Sequence, residues 1–597
     1  MTLTSSLRRY GATLLLAFAT ACSGGGGDNV GAASTGSGNV SIVLSDATSE
    51  TLSAFEVDVR GIVFQRRNGG AVAIAPRTNR IDFVQMSGLS DLIATTSLPA
   101  GRYDRVTMTL DFATARVVIA GQSTPATVRD PRGTLLDGPV DVQVDFAGDD
   151  RLVVVRGRRH LFAFDLDLDQ SVAVDGTANL VTFTPVLNLD IDPTAGRPIG
   201  TVGVLRSVDT NTSLCQFARL ADDGSVQNEF TVATTATTVF QVDGVPMEGA
   251  LGLGSLVSQI GKRIVVRGEL NRADARIDAR SIEAGYGVIG SGQDVVFGHV
   301  VARTVGAGGA SSLTVRGRSI DFDTSVRRYD VQHTVNVSLA FTKVVREDSL
   351  ASVDCDDVNV GQQVWVFGEL AGTTMNATTF DAVVRMEPTR IRCEAAAAPA
   401  NNVLTVEVQS IGQLEASRFN FTVAGQSEAD PAAFRLDVTG LQTAGIGADT
   451  RLEVLAWFSA VGSTGPDATA LQLASRTSGR QLLFCEWSPS RVGAVLGTTV
   501  GALTLDLVGS PVHFVRDRSG PTVLTATPAP QLVGATGSGH FRIIQDHGVA
   551  TFSDFAAFRA EVLARTATGA VHAVTGRGSF DAPSQTLTAS DATVVLR

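Results

Sequence analysis

The chain reads as an all-β protein built from consecutive modules, and three observations predict it. From Val40 onward apolar and polar residues alternate with period two, as in Val40, Ile42 and Leu44 or in Phe55, Val57 and Val59. That period places one face of a strand in a core and the other in solvent. Helical periodicity is confined to one stretch near the C-terminus. A ten-residue strand motif also returns after 100 residues, which marks a duplicated unit. Length agrees, because 597 residues exceed one core and suit about four units of roughly 150. With 44% hydrophobic and 18% charged residues, there is material to fill several cores.

The first element is a targeting segment, residues 1–21. Arg8 and Arg9 make a positive start and Ala12 to Phe18 a short apolar run, well under the about 20 residues that cross a bilayer as a helix. Ala19-Thr20-Ala21-Cys22 follows and resembles a bacterial lipobox, which implies that the Cys22 thiol is lipidated and becomes the new N-terminus. Residues 22–38, rich in Gly and Ser, suit a flexible tether between a membrane and a folded domain. Ser23 after the cysteine resembles lipoproteins forwarded to the outer membrane. The expected location is therefore the bacterial cell envelope, with the membrane as partner through the lipid.

Residues 39–194 are expected to form an antiparallel β-sandwich, with hairpin turns at Gly-rich breaks such as Gly69-Gly70. Gly38 to Ala47, the turn Leu98-Pro99-Ala100-Gly101-Arg102-Tyr103 and the closing Phe183 to Leu187 resemble the domain of unknown function family 4382. That resemblance implies a transthyretin-like sandwich and a lipoprotein setting, and it implies no activity. Next, Gly261-Lys262-Arg263-Ile264-Val265-Val266-Arg267-Gly268-Glu269-Leu270 recurs as Gly361-Gln362-Gln363-Val364-Trp365-Val366-Phe367-Gly368-Glu369-Leu370. The flanking strands recur too, giving modules at 198–290 and 295–390. The pattern is similar to the repeats of domain of unknown function family 5666, which implies small OB-like β-barrels. Two divergent modules, 391–489 and 490–597, complete the chain. The last carries the single expected helix, with Ser553 as N-cap and Phe555, Phe558, Val562 and Leu563 on one core-facing stripe.

Chemistry is sparse. Seven histidines form no H-E-x-x-H pair, and there is no G-x-S-x-G elbow and no phosphate-binding glycine loop. No catalytic, metal or cofactor residue is assigned, and no cofactor is expected. Asp165, Asp167 and Asp169, with Asn188, Asp190 and Asp192, alternate as on strand faces and are weighed for Ca²⁺, against the plainer reading of solvated polar faces. Cys215, Cys355, Cys393 and Cys485 are an even count in an oxidising compartment, which predicts two disulfides in any of three pairings; the other reading is buried thiols. Trp365 alternates with inward Val364 and Val366, so it is expected to face outward and to make a module contact or, less readily, a glycan platform. Only Lys262 and Lys343 are lysines, so nearly all 48 basic residues are arginines. A recognition role would require those arginines to cluster on one surface. The net charge of −12 argues against nucleic acid as a partner. The expected function is a non-enzymatic, membrane-anchored binding, adhesion or scaffolding protein with an envelope protein or glycan partner. The alternative is a glycan-binding accessory of a surface enzyme, with a hydrolase behind it.

Overall fold

The computed structural model describes residues 36–596 except 46–50, 68, 75–78, 87–89, 131–132, 146–151, 167, 186, 192–197, 221–225, 272–273, 275, 306–309, 476–480, 518–519, 536–539, 546–547 and 553. Cys22 and most of the tether lie outside the described residues. The protein is all-β, with 62% strand and few helices. Among the described residues no helix is long and apolar enough to cross a membrane.

Two sheets and a small third one pack around the N-terminal core. One sheet runs in the order Leu187–Ile191, Arg159–Leu166, Ser37–Ser45, Asp91–Pro99. The other carries the long antiparallel partners Leu52–Arg66 and Gly101–Ile119, with Pro139–Asp145 beside them. Alternation explains the burial, because Phe55, Phe64, Phe162, Phe164 and Phe183 all point into one core. Tyr103 closes the Pro99 turn by donating its hydroxyl hydrogen to the Pro99 carbonyl at 2.7 Å. One expectation is corrected: Ser37–Ser45 and Arg159–Leu166 run parallel, so this module is mixed and not purely antiparallel. A parallel pair needs a long crossover, and residues 46–158 supply it.

Four rings of strands follow, each with the same connectivity. In the first, strands Pro198–Asp209, Leu214–Leu220, Val226–Ala233, Arg263–Asn271 and Arg276–Ala284 pair in the order 1-2-3-5-4-1. The third and fifth strands are parallel and every other pair is antiparallel. The second ring repeats this with Asp294–Val305, Ala310–Asp321, Val326–Ser338, Gln363–Ala371 and Thr374–Ala377. The third does so with Thr389–Ala395, Val403–Ile411, Phe434–Asp437, Arg451–Phe458 and Ala468–Ser475. In the fourth ring the first two strands are interrupted, but Gln481–Arg491, Ala502–Leu505, Gln531–Gly534, Val571–Asp581 and Thr586–Leu596 close the same circuit through Val495–Leu496. The expected boundaries at 390/391 and 489/490 fall inside the first strands of the third and fourth rings. Those strands are already committed by their pairing before the sequence break that suggested a boundary.

The repeated glycine has a local cause. A Cβ on Gly268 would strike the Asp278 carbonyl, and one on Gly368 the Asn376 carbonyl. At Gly268 the fourth strand also slips register against the fifth, so the two backbones come closer than a side chain allows. Gly578 sits at the same slip in the fourth ring against Thr588. In the third ring Ala456 takes the slip beside Ala470.

The helix Phe555–Thr566 is present, with Phe558 and Val562 buried as expected. Its N-cap is Asp554, whose carboxylate accepts from the Ala557 amide at 2.8 Å. Ser553, the expected cap, lies outside the described residues and one position too early. The expected disulfides are also corrected: no disulfide joins Cys215, Cys355, Cys393 and Cys485, and all four are buried. They are distributed over three separate cores, with only Cys355 and Cys393 in the same one. Burial pushes the Cys215 and Cys355 thiols up to about 11 and Cys485 to about 12, so these three behave as small apolar side chains.

The modules do not hang as separate beads. The N-terminal module is held by every ring. Ser90 bridges to Ile199 and Asp91 pairs with Arg219 of the first ring at 2.5 Å. Buried Glu56 takes Arg327 at 2.8 Å and the Tyr329 hydroxyl at 2.9 Å from the second. Gln413 of the third ring donates to the Leu52 carbonyl at 2.8 Å. Strand Pro139–Asp145 pairs with Gly548–Phe552 of the fourth.

Candidate functional site

The first and fourth strands of a ring lie side by side, and alternation gives them an inner and an outer face. In the first ring Thr201 and Val266 are buried inside, while Val202 and Val265, paired across the strands, look outward. The corresponding outward pair is Phe297 and Trp365 in the second ring, with ring centroids 4.2 Å apart. In the third it is Arg392 and Glu453, 3.7 Å apart. These three equivalent faces converge on one cavity of about 1010 Å³, and the N-terminal module adds Arg80, Asp82 and Asp91 to its wall. Trp365 is thus outward from its own ring, as expected, and half-buried at a module junction.

One wall is a buried ionic joint between the first two rings. Arg267, on the outer face of the repeated strand, meets Glu283 at 2.5 Å, Glu347 at 2.6 Å and Glu387 at 3.9 Å. Arg385 pairs with Glu283 at 2.8 Å and donates to the Gly287 carbonyl at 2.7 Å. Arg280 holds Asp348 at 2.5 Å on the outer side. Burial works against the charge on Arg267, but its three carboxylates override that and hold its pKa above the usual range. Burial lowers Arg385. Burial, with Glu387 close by, pushes Glu347 up to about 8, and burial raises Glu387 as well. Two guanidiniums therefore face three glutamates, and the excess carboxylate is relieved by a proton.

The arginines do cluster. Ten arginines and six Asp or Glu residues line the cavity, although the chain as a whole carries 48 basic and 60 acidic residues. Most are engaged: Arg316 grips Asp330 through two hydrogen bonds at 2.8 and 2.9 Å, and Arg318 pairs with Asp82. Arg263 is exposed and meets no carboxylate among the described residues. This is what the sequence could not place, because the arginines come from four modules and run from Arg80 to Arg392. His299 lies against Gly412, a left-handed glycine (φ 60°) whose missing side chain makes room for the ring, and burial pushes it down to about 4.

The aspartate row is not assembled as expected. Strand Arg159–Leu166 carries only Asp165 of the row, and the helical turn Leu168–Ser171 takes Asp169 out of the strand. Leu168 is fully buried there, so the turn is anchored by core packing. Asp165 accepts from Ser45 at 3.2 Å and lies opposite Asn188. Asp167 and Asp192 lie outside the described residues. No group of three or more His, Cys, Asp or Glu suited to a metal ion occurs among the described residues.

Sequence reading also missed a histidine constellation in the fourth ring. His572 Nδ1 lies 3.5 Å from the Ser490 hydroxyl, and its Nε2 lies 4.0 Å from Glu486. Adjacent strands bring these residues together, Glu486 on the first and His572 on the fourth. Both separations exceed the about 2.6–3.2 Å over which a base takes a hydroxyl proton, so the geometry is that of packed polar neighbours.

A scan against family models matches residues 37–185 to the domain of unknown function DUF4382. No curated protein matches the chain.

Proposed function

We propose that this chain is a lipid-anchored, non-catalytic protein of the bacterial cell envelope, tethered through Cys22 to the outer membrane and acting as a rigid binding or scaffolding body. The observation that carries this reading is the grip of all four rings on the N-terminal module. A chain of independent modules would bind at separate points, whereas this one presents a fixed surface on one frame. The 1-2-3-5-4-1 strand order with a parallel third–fifth pair supports reading the rings as OB-like barrels, and the first two as repeats of the family 5666 type. The N-terminal sheets support a transthyretin-like sandwich. The Trp365–Phe297 wall favours a second reading, a glycan-binding accessory of a surface enzyme system.

The test is Cys22→Ser in the native host. Wild type is expected in the membrane fraction carrying labelled fatty acid, and the variant as a soluble or unprocessed form without label. Wild-type protein that stays soluble and takes up no label sinks the anchor.

A further inference from the structure

We infer that the cavity where the three ring faces meet binds a carboxylate-bearing saccharide. The inference rests on the non-catalytic binding reading above and names the ligand class for it.

The position comes first. Three copies of one unit turn the same outer face, that of their first and fourth strands, toward a shared space. Solvated faces of independent barrels have no reason to converge, whereas walls of one site do. The cavity volume, about 1010 Å³, matches a cleft that holds a ligand of a few sugar rings.

The wall chemistry then selects the class. Trp365, backed by Phe297 and by Phe367 in a stacked arrangement 6.4 Å away, offers a flat apolar surface in a half-exposed setting. Such a surface suits the C–H face of a pyranose ring, since aromatic side chains combine large contact area with little entropy loss. Gln363 and Gln472 add planar amides to the same lining, which match hydroxyl groups as donors and acceptors. Arg263 supplies the charge. It is exposed, meets no carboxylate among the described residues, and stands two residues from Val265 on the outer face of the same strand. A guanidinium fork binds a carboxylate through two parallel hydrogen bonds. The other nine arginines of the lining each meet a carboxylate of the protein, which leaves Arg263 as the cation open to a ligand among the described residues. A neutral sugar would leave that charge unused, and a simple inorganic anion would leave the aromatic wall unused.

The experiment is calorimetric titration of the full-length protein in detergent with tetragalacturonate, beside maltotetraose and inorganic phosphate. Tetragalacturonate is expected to bind, and to bind more weakly as salt is raised. Arg263→Glu should weaken it by about tenfold or more, while Arg418→Glu, the same charge change outside the cavity, should stay within about twofold. Trp365→Leu keeps an apolar contact with Phe297 but removes the flat ring, and should also weaken binding without lowering the melting temperature of the first two rings appreciably. Absence of tetragalacturonate binding overturns the assignment. Equal binding of maltotetraose or phosphate overturns it too, as does an Arg263→Glu variant that binds like wild type. If tetragalacturonate binds and shorter products appear, the site stands and the non-catalytic reading falls. If it does not bind while Cys22→Ser still leaves the membrane, the ligand class falls and the anchored-body reading stands.

Discussion

The joint between the first and second rings and the joint between the second and third link units of one topology by opposite means. At the first joint, Arg267 and Arg385 are enclosed with Glu283, Glu347 and Glu387. At the second, the cores of the two rings merge into one apolar cluster, and Phe458 of the third ring packs on Gly361 of the second, a left-handed glycine (φ 99°) with no side chain in the way. The Phe458 backbone amide also donates to the Gln362 side-chain oxygen at 3.3 Å, and Asn359 donates to the Ser459 carbonyl at 3.0 Å. An apolar joint gains from area removed from water and is indifferent to charge. An ionic joint spends most of its attraction on desolvation, and what it returns is geometry, because each guanidinium accepts few arrangements of partners. The cavity lies beside the ionic joint. A site whose walls come from different rings needs its angles fixed more than it needs extra stability.

The largest effect should come from breaking the ionic joint on one side only. Arg267→Met leaves three buried glutamates without their shared cation, and the expected cost is about 3–5 kcal/mol. Adding Glu347→Leu to that variant should return part of the loss, because it removes a carboxyl left without its guanidinium partner and supplies apolar contact in its place. Denaturant unfolding of the single and double variants measures both. A single variant as stable as wild type would mean that the cluster is open to water and contributes little.

A smaller effect, equal at the ionic joint and away from both joints, is expected from the strand glycines. Gly268→Val, in the ring at the ionic joint, and Gly578→Val, in the fourth ring, which enters neither joint, each push a side chain into a backbone carbonyl. Each should cost about 1–3 kcal/mol, read as a lower melting temperature of the ring concerned. If only Gly268→Val destabilises, the close approach belongs to the joint and not to the ring.

These particulars mark how far the sequence could be read. Period-two alternation delivered the all-β class, since inside and outside are written into neighbouring residues. The 100-residue repeat was legible because its glycine cannot vary where two backbones come close and no larger residue fits. The third ring escaped as a repeat since Ala456 and Leu452 stand where the motif has Gly268 and Ile264, and a small or apolar residue satisfies the same geometry without leaving a pattern. The Asp165 row misled because alternation in the sequence continued past Leu166, where burial of Leu168 turns the chain into a helical turn. The disulfide count misled for a related reason, since the number and compartment of cysteines say nothing of which core each one enters. The arginine-lined cavity was out of reach altogether: Arg80, Arg263, Arg316 and Arg392 become neighbours only through the grip of the rings on the N-terminal module.

The smallest expected effect is also the one that separates the two joints most directly. Glu347 sits beside Glu387 and is held by burial at about 8, well above the ordinary glutamate range. A carboxyl raised in the folded state keeps its proton where the unfolded chain has lost it. Its contribution to stability is therefore complete below the ordinary value near 4.5, shrinks as pH rises, and is gone above about 8. Glu387, raised in the same direction, adds to the trend. The ionic joint should then be tightest in mild acid and loosen between about pH 5 and pH 8.5, while the apolar joint around Phe458 and Gly361 holds steady. Hydrogen exchange, corrected for its intrinsic pH dependence, can follow both in one sample, through amides of Arg263–Asn271 and Lys343–Arg346 at the first and of Arg451–Phe458 at the second. Glu347→Gln removes the titrating group while keeping its size and a hydrogen-bonding oxygen, and should flatten the response of the first joint alone. A variant that keeps the wild-type slope would place the titration elsewhere, and the contrast between a pH-responsive and a pH-indifferent joint would then have to be given up.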